Sequence, residues 1–346
     1  MIKVRGLGLA PTLPMKDAMP SMWAPSSPLS AIRMRARVNR AIREFFEDRG
    51  VLEVETPLLS RGTVTDPGIT PFITAYHRPG SPYSEDLYLQ TSPEFAMKRL
   101  LAAGSGSIYQ MSKAFRNEEQ GRYHNPEFTL LEWYRVEFDL DQLLDEVEAL
   151  ILMLAASLGK GLSTKRISYQ ALFQERLECD PLTSSLHEFQ AKAKALGLPE
   201  ASHLCGEDRA TWLDLLFGHF IQPDLGREAL TMVTGYPAIL PSLARACPHD
   251  PRYVERSELF LEGMELGNGF HELRDPKEQR QRFERDLERR KLHGQVIPPM
   301  DQRLLDALGV GLPACSGMAI GLDRLLMALI GSSSLDEVIG FPIERA

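Results

Sequence analysis

The stretch Phe115-Arg-Asn-Glu-Glu-Gln-Gly-Arg-Tyr-His-Asn-Pro-Glu-Phe-Thr-Leu-Leu-Glu-Trp-Tyr-Arg135 decides how the rest of the chain is read. Phe128, Leu130, Glu132 and Tyr134 fall two apart, the spacing that lines one strand face, and Ile108 to Phe115 alternates more loosely. Two antiparallel strands joined by a polar loop are expected. Arg116 and Glu118 then share a face, to which the loop adds Arg122, His124 and Asn125. An arginine fork matches phosphate oxygens bidentately, and an aromatic ring such as Phe128 stacks on a base. A solvated hairpin with scattered charges shows the same alternation, so spacing alone leaves both readings open.

The literal string separates them. Arg116-Asn117-Glu118 followed by His124-Asn-Pro-Glu-Phe128 resembles the second signature motif of class II aminoacyl-tRNA synthetases, in its lysyl-specific form. The resemblance implies an α+β fold, an antiparallel sheet flanked by helices, that binds ATP.

Working toward the N-terminus, Ile32, Val38, Ile42, Phe45 and Phe46 recur at helical spacing, so a helix is expected from Ser30 to Arg49 with Gly50 as its stop. Val51 to Pro57 reads as a strand ending at an edge, because proline lacks a ladder donor. An ordinary helix and strand would look the same, but their order resembles the first class II motif, which implies a homodimer. Residues 60–86 read as loops around a short strand, Pro71 to Tyr76. Ser92-Pro93-Glu94 precede a helix from Phe95 to Ala103. Glu94 there suits the helix dipole, and in the lysyl enzymes the matching Pro-Glu lies in the substrate pocket. Residues 1–29, with five prolines, are expected to be a loose extension ahead of a catalytic domain spanning 30–346.

Toward the C-terminus, residues 140–250 read as a largely helical insertion interrupted by a strand from Leu230 to Ala238. Asn268, Phe270 and Glu272 lie two apart on one strand face, and Gly267 and Gly269 leave its backbone open. Glu258 and Glu265 could hold magnesium between phosphates, although acids on a partly exposed strand are also common. The string Glu265-Leu-Gly-Asn-Gly-Phe-His-Glu-Leu273 resembles the lysyl-synthetase form. Arg280 to Lys291, dense in Arg and Glu, reads as a solvated helix laced with ion pairs, with a partner-binding ridge as the alternative. Pro313 to Arg324, rich in small residues and leading into Leu325 to Ile330, resembles the third class II motif.

Composition sets the outer bounds. At 346 residues the chain can bury roughly 75% of its unfolded surface. A net charge of −8 argues against blanket binding to a phosphate backbone. Cys179, Cys205, Cys247 and Cys315 form no C-x-x-C pair, so neither a zinc knuckle nor a disulfide framework is indicated, and a reducing cytoplasm is the simple reading. Nothing in the composition suggests a membrane protein.

The resemblance runs over roughly residues 30 to 346. The anticodon-binding barrel that lysyl-tRNA synthetases carry ahead of motif 1 has no counterpart in residues 1–29. This architecture resembles the truncated paralogues that attach (R)-β-lysine to a lysine of elongation factor P, which argues against tRNA binding. By that resemblance Arg116 and Arg324 are catalytic and clamp ATP, helped by Asn117, Glu118, His124, Asn125, Phe128, Glu258, Leu259 and Gly317, while Mg2+ sits on Glu258 and Glu265. Ser92, Pro93, Glu94, Glu132, Tyr134, Glu265, Asn268, Phe270, Glu272 and Ala319 would line the amino-acid pocket. Ala319 stands where glycine is expected in lysyl-tRNA synthetases, which puts recognition of ordinary α-lysine in question. The rival readings are a truncated synthetase charging tRNA or a small molecule, and a catalytically silent regulatory paralogue.

Overall fold

The structure, a computed structural model, describes residues 22–240 and 242–346. Most of the loose extension expected at 1–29 lies outside the described residues. The part that is described is tied down: the Ser26 amide donates to the Gly340 oxygen at 2.9 Å and its hydroxyl to the Ile339 oxygen at 2.8 Å.

Among the described residues eleven strands follow in chain order: β1 (Leu52–Glu53), β2 (Leu59–Ser60), β3 (Ile73–His77), β4 (Ser84–Leu89), β5 (Ile108–Phe115), β6 (Glu127–Val136), β7 (Thr164–Ser168), β8 (Leu230–Pro237), β9 (Tyr253–Leu261), β10 (Met264–His271) and β11 (Cys315–Gly321). The main sheet has eight of them in the order β1-β5-β6-β11-β10-β9-β8-β7, and β2-β4-β3 form a small second sheet. The main sheet is antiparallel except at its two ends, where β1 runs parallel to β5 and β7 parallel to β8.

Among the described residues ten α-helices surround the sheet: α1 (Leu29–Glu47), α2 (Glu94–Ala102), α3 (Leu140–Ser157), α4 (Tyr169–Leu177), α5 (Leu186–Ala195), α6 (Ala201–Cys205), α7 (Arg209–Leu216), α8 (Pro276–Leu292), α9 (Gln302–Val310) and α10 (Leu322–Ile330). The two-residue strand period sorts side chains between the faces. Leu131, Trp133, Met318, Ile320 and Leu259 join Phe46 of α1, Val147 of α3 and Leu325 of α10 in one core. Asp139 starts α3 with a capping box, its carboxylate accepting from the Gln142 amide. Helices α4 to α7 gather a separate cluster around Phe173, Trp212 and Tyr236. A third cluster, with Met97, Tyr134, Phe283 and Leu304, closes the far end of the opposite face.

Several expectations are corrected. The strand expected at 51–57 shrinks to Leu52–Glu53, since the chain must leave the sheet edge before Pro57. β7 was not expected: Thr-Lys-Arg-Ile-Ser offers one apolar residue, enough for an edge strand but too little for a periodic signal. Residues 257–273 are a hairpin, turning at Glu262 and Gly263, both with positive φ. The solvated-helix reading of α8 fails at two arginines. Arg290 is 1% exposed and donates to the main-chain oxygens of Thr65 at 2.8 Å and of Asp66 and Ile69 at 2.6 Å. Arg282 holds the oxygens of Ser242 and Ala244, each at 2.7 Å.

Candidate active site

The sheet face away from the main core opens into a cavity of about 1010 Å³. Its floor is β6, β10 and β11, and its walls are the start of α2, the loop around residues 60–66 and α8.

One end is cationic. β5 stops at Phe115, and the Arg116 guanidinium lies 5.1 Å over the Phe128 ring and 3.6 Å from Glu119. The buried Nε of Arg116 has no hydrogen-bond partner among the described residues, a donor suited to an arriving phosphate oxygen. Arg324, in the first turn of α10, donates from Nε to the Tyr123 oxygen and from Nη1 to the Glu265 oxygen, both at 3.0 Å. Burial, reinforced by Arg324, holds the pKa of His124 below its ordinary value. Asn125 also lines the cavity, and its side chain pins the C-terminal segment by accepting from the Ile343 amide at 3.0 Å.

The other end is acidic. Tyr134 and Ser92 each donate a hydroxyl to Glu132 at 2.7 Å, and the Ser92 oxygen accepts from the Glu94 amide at 3.1 Å. Burial, and then the Glu94 charge, push Glu132 up to about 8. Burial likewise raises Glu272, against the pull of Lys98. Glu94 opens α2 behind Pro93, while Asn268, Phe270 and Glu272 project from or just beyond β10, as their spacing predicts. Ala319 sits in register between Asn268 of β10 and Glu132 of β6. Gly317 lies where a Cβ would come within 2.5 Å of the Tyr134 ring and 2.8 Å of Glu272 Oε1.

Four expected members stand apart from this cavity. Once β5 ends, alternation no longer governs the chain: Glu118 takes a positive φ and accepts from Thr70 at 3.0 Å, so it does not share a face with Arg116. Asn117 is engaged beside it, its amide bonded to the Thr70 oxygen at 2.7 Å. Leu259 points into the core on the other side of the sheet. Glu258 is on the cavity side of the sheet, in register with Asn268, but is buried away from the lining, where Tyr236 donates to it at 2.6 Å and Arg256 also binds it. Gly267 and Gly269 admit a close approach, as expected, and what approaches is a neighbouring strand. A Cβ on either would strike the neighbouring strand β11, at the Ala319 oxygen or the Met318 side chain.

A family model described as tRNA synthetases class II (D, K and N) matches residues 22–345. The chain belongs to the class II tRNA synthetases. It is 47% identical to the elongation factor P–(R)-β-lysine ligase of Salmonella paratyphi B over 324 residues, covering 94% of this chain and 98% of that one. To the ligase of the same name from Yersinia enterocolitica it is 48% identical over the same shares.

Within this class II site, sequence reasoning missed Lys98, Glu119 and Tyr123. The Lys98 ammonium lies 2.5 Å from Glu94 and 2.6 Å from Glu272. Its one available signal was the four-residue spacing from Glu94 in an otherwise apolar helix. Among the described residues no group of three or more His, Cys, Asp or Glu could hold a metal ion by itself. The donor set nevertheless fits a magnesium that arrives with phosphate oxygens. Glu265 faces the cavity with its carboxyl pushed up by burial and by the neighbouring Glu258 charge, an arrangement that a cation relieves.

Proposed function

We propose that the protein is an ATP-dependent ligase that activates (R)-β-lysine as an adenylate and transfers it to a lysine side chain of elongation factor P. The observation that carries this reading is one cavity with an arginine-lined end and an end holding Glu94, Glu132 and Glu272. The first suits the phosphates and base of ATP, the second an amino acid with two ammonium groups. The names of the Salmonella and Yersinia relatives supply the acceptor and the isomer.

The chemistry follows from charge. The substrate carboxylate attacks the α-phosphorus, a P–O bond forms, and pyrophosphate leaves with the electron pair of the bond that breaks. Negative charge grows on the phosphate oxygens, where Arg116 and Arg324 stabilise it without any nucleophilic side chain. Phe128, under the Arg116 guanidinium, offers a ring face to adenine. A bound magnesium would neutralise phosphate charge, held by Glu265 and by Glu258 to the extent that Arg256 and Tyr236 release it. In the second step an acceptor amine attacks the acyl carbon, AMP leaves with the anhydride oxygen, and the amine sheds a proton to give an amide.

The same reading makes the protein a cytoplasmic homodimer that does not depend on tRNA. Leu29 and Ile32 on α1, with Leu52, Leu58 and Leu59 just beyond it, are exposed apolar residues in the region resembling motif 1. Light scattering at micromolar concentration reports the assembly. The activity is tested by incubating the protein with ATP, magnesium and a panel of lysine isomers, and either elongation factor P or tRNA, then weighing both acceptors. Mass gain on the factor with (R)-β-lysine supports the reading. Charging of tRNA with α-lysine and no gain on the factor overturns it.

A further inference from the structure

Three carboxylates, Glu94, Glu132 and Glu272, meet at the acidic end of the cavity, and the Lys98 ammonium sits behind two of them. Lys98 is 1% exposed and is not part of the cavity lining, so a bound amino acid would touch the acids and not the lysine. Burial alone would pull its pKa down, but Glu272 and then Glu94 outweigh that and hold it charged. The other groups facing the cluster add nothing to its charge. Burial keeps the Tyr134 hydroxyl and the Cys315 thiol protonated, Arg282 and Glu278 pair with each other at 2.5 Å, and Arg99 and Arg274 are exposed to water. With all three acids ionised, three negative charges less one positive leave two, the number a diamino acid neutralises with its ammonium groups.

Geometry adds to the count. Glu94 and Lys98 are one helical turn apart on α2, whereas Glu272 follows β10, so the ammonium ties helix to strand and sets the separation of the two carboxylates. One oxygen of each carboxylate is engaged by Lys98, Oε1 of Glu94 and Oε2 of Glu272, which leaves the other oxygen of each to a ligand.

We infer that Lys98 is a specificity-determining positioning residue, a built-in counter-ion that trims the acid cluster to the charge of a substrate's two ammonium groups, its carboxylate lying toward the other end, and fixes Glu94 and Glu272 at the spacing that receives them. The inference rests on the proposed diamino-acid substrate and deepens that reading. A lysine that merely stitched α2 to β10 would affect folding without distinguishing amino acid from nucleotide.

The test uses the full chain carrying Lys98→Met, and the double variant Lys98→Met/Glu94→Gln, which again holds two carboxylate charges and keeps the question open if the single variant does not fold. Two readouts are combined: carbon NMR titration of glutamate carboxyls without ligand, and KM for (R)-β-lysine and for ATP in pyrophosphate exchange. In Lys98→Met the Glu272 and Glu132 carboxyls titrate at higher pH, the pH optimum moves up, and the KM for the amino acid rises by at least about 100-fold. The KM for ATP stays within about threefold of wild type, since the arginine end of the cavity is untouched. In the double variant the remaining carboxyls titrate closer to wild type than in the single one. Unchanged carboxyl titration, or a loss shared equally by ATP and amino acid, overturns the role of Lys98. If the wild-type protein activates no diamino acid, the proposed activity falls, while the ligand-free titration still decides whether Lys98 sets the cluster's charge.

Discussion

Arg324 Nη1 donates to the main-chain oxygen of Glu265 at 3.0 Å, so the arginine at the start of α10 is braced on the strand that carries the acid facing the arginine-lined end of the cavity. Its Nε is spent on the Tyr123 oxygen at the same distance, which locks the guanidinium plane. A lysine has one nitrogen and no plane, so it cannot keep both braces and still face a phosphate. Arg324→Lys is expected to fold normally and to lose on the order of 100- to 1000-fold in the rate of ATP–pyrophosphate exchange. A near-normal rate would remove Arg324 from the nucleotide site.

Glu132 gives the pH dependence. Burial raises its carboxyl from 4.5 to about 8, so the folded protein holds this proton more tightly than the unfolded chain does. Its contribution is therefore neutral below about pH 4.5 and works against folding as pH rises toward 8. The span of 3.5 units (8 less 4.5) corresponds to an upper limit on the order of 5 kcal/mol. Glu132→Gln is expected to raise the Tm at pH 9 and leave it nearly unchanged at pH 5, while abolishing amino-acid binding. An arriving ammonium also favours the ionised form, so wild-type binding near pH 7 should release protons. Calorimetry in buffers of different ionisation enthalpy checks that release, and proton uptake would contradict the buried-acid picture.

How much of this was legible in the sequence depends on whether local period or tertiary placement decides each residue. The hairpin of β5 and β6 and the strand face of Asn268, Phe270 and Glu272 follow from spacing, and the structure has them there. Glu118 did not follow, because strand alternation carries no information past the last paired residue. Lys98 and Arg290 were illegible for a common reason. A cation on a helix is ordinarily a surface residue, and only the fold brings buried acids to one and bare loop carbonyls to the other.

Arg290 is the strap of the loop that walls the cavity. Its guanidinium serves the oxygens of Thr65, Asp66 and Ile69, and Arg290→Leu would strip the donors while keeping the bulk. Each buried acceptor left unsatisfied costs about 1–3 kcal/mol, so the loop, more than the sheet, should loosen. Hydrogen exchange is expected to speed up over residues 61–70 with β6 and β11 still protected. Uniform protection would mean that the strap is dispensable.

Gly317 leaves room for two groups that the pocket needs. An alanine methyl would come within 2.5 Å of the Tyr134 ring and 2.8 Å of Glu272 Oε1, and Tyr134 is only 3% exposed, with nowhere to retreat. Overpacking of this kind costs typically about 1–3 kcal/mol. Gly317→Ala should lower the Tm by several degrees and raise the KM for the amino acid, because Glu272 is displaced. A higher amino-acid KM without any change in Tm would place the strain on the ligand alone.

Under the proposed activity, Ala319 is the position expected to bear on the choice of amino acid. It lies on β11 between Asn268 and Glu132, its methyl group on the cavity floor beside the acids. Moving an amino group from the α- to the β-carbon shifts an ammonium by about one bond, ~1.5 Å, so one methyl group is of the right size to favour one isomer by crowding the other. A misfit of that size is worth roughly 1–3 kcal/mol, which is a preference and not a bar. Ala319→Gly is therefore expected to narrow the ratio of kcat/KM for (R)-β-lysine over α-lysine by about 10- to 100-fold. The narrowing should come from better use of α-lysine, with the KM for ATP unchanged. Pyrophosphate exchange with each isomer measures the ratio directly. An unaltered ratio would move the discriminating contact elsewhere in the pocket, with the carboxylates of Glu94 and Glu272 the next to examine.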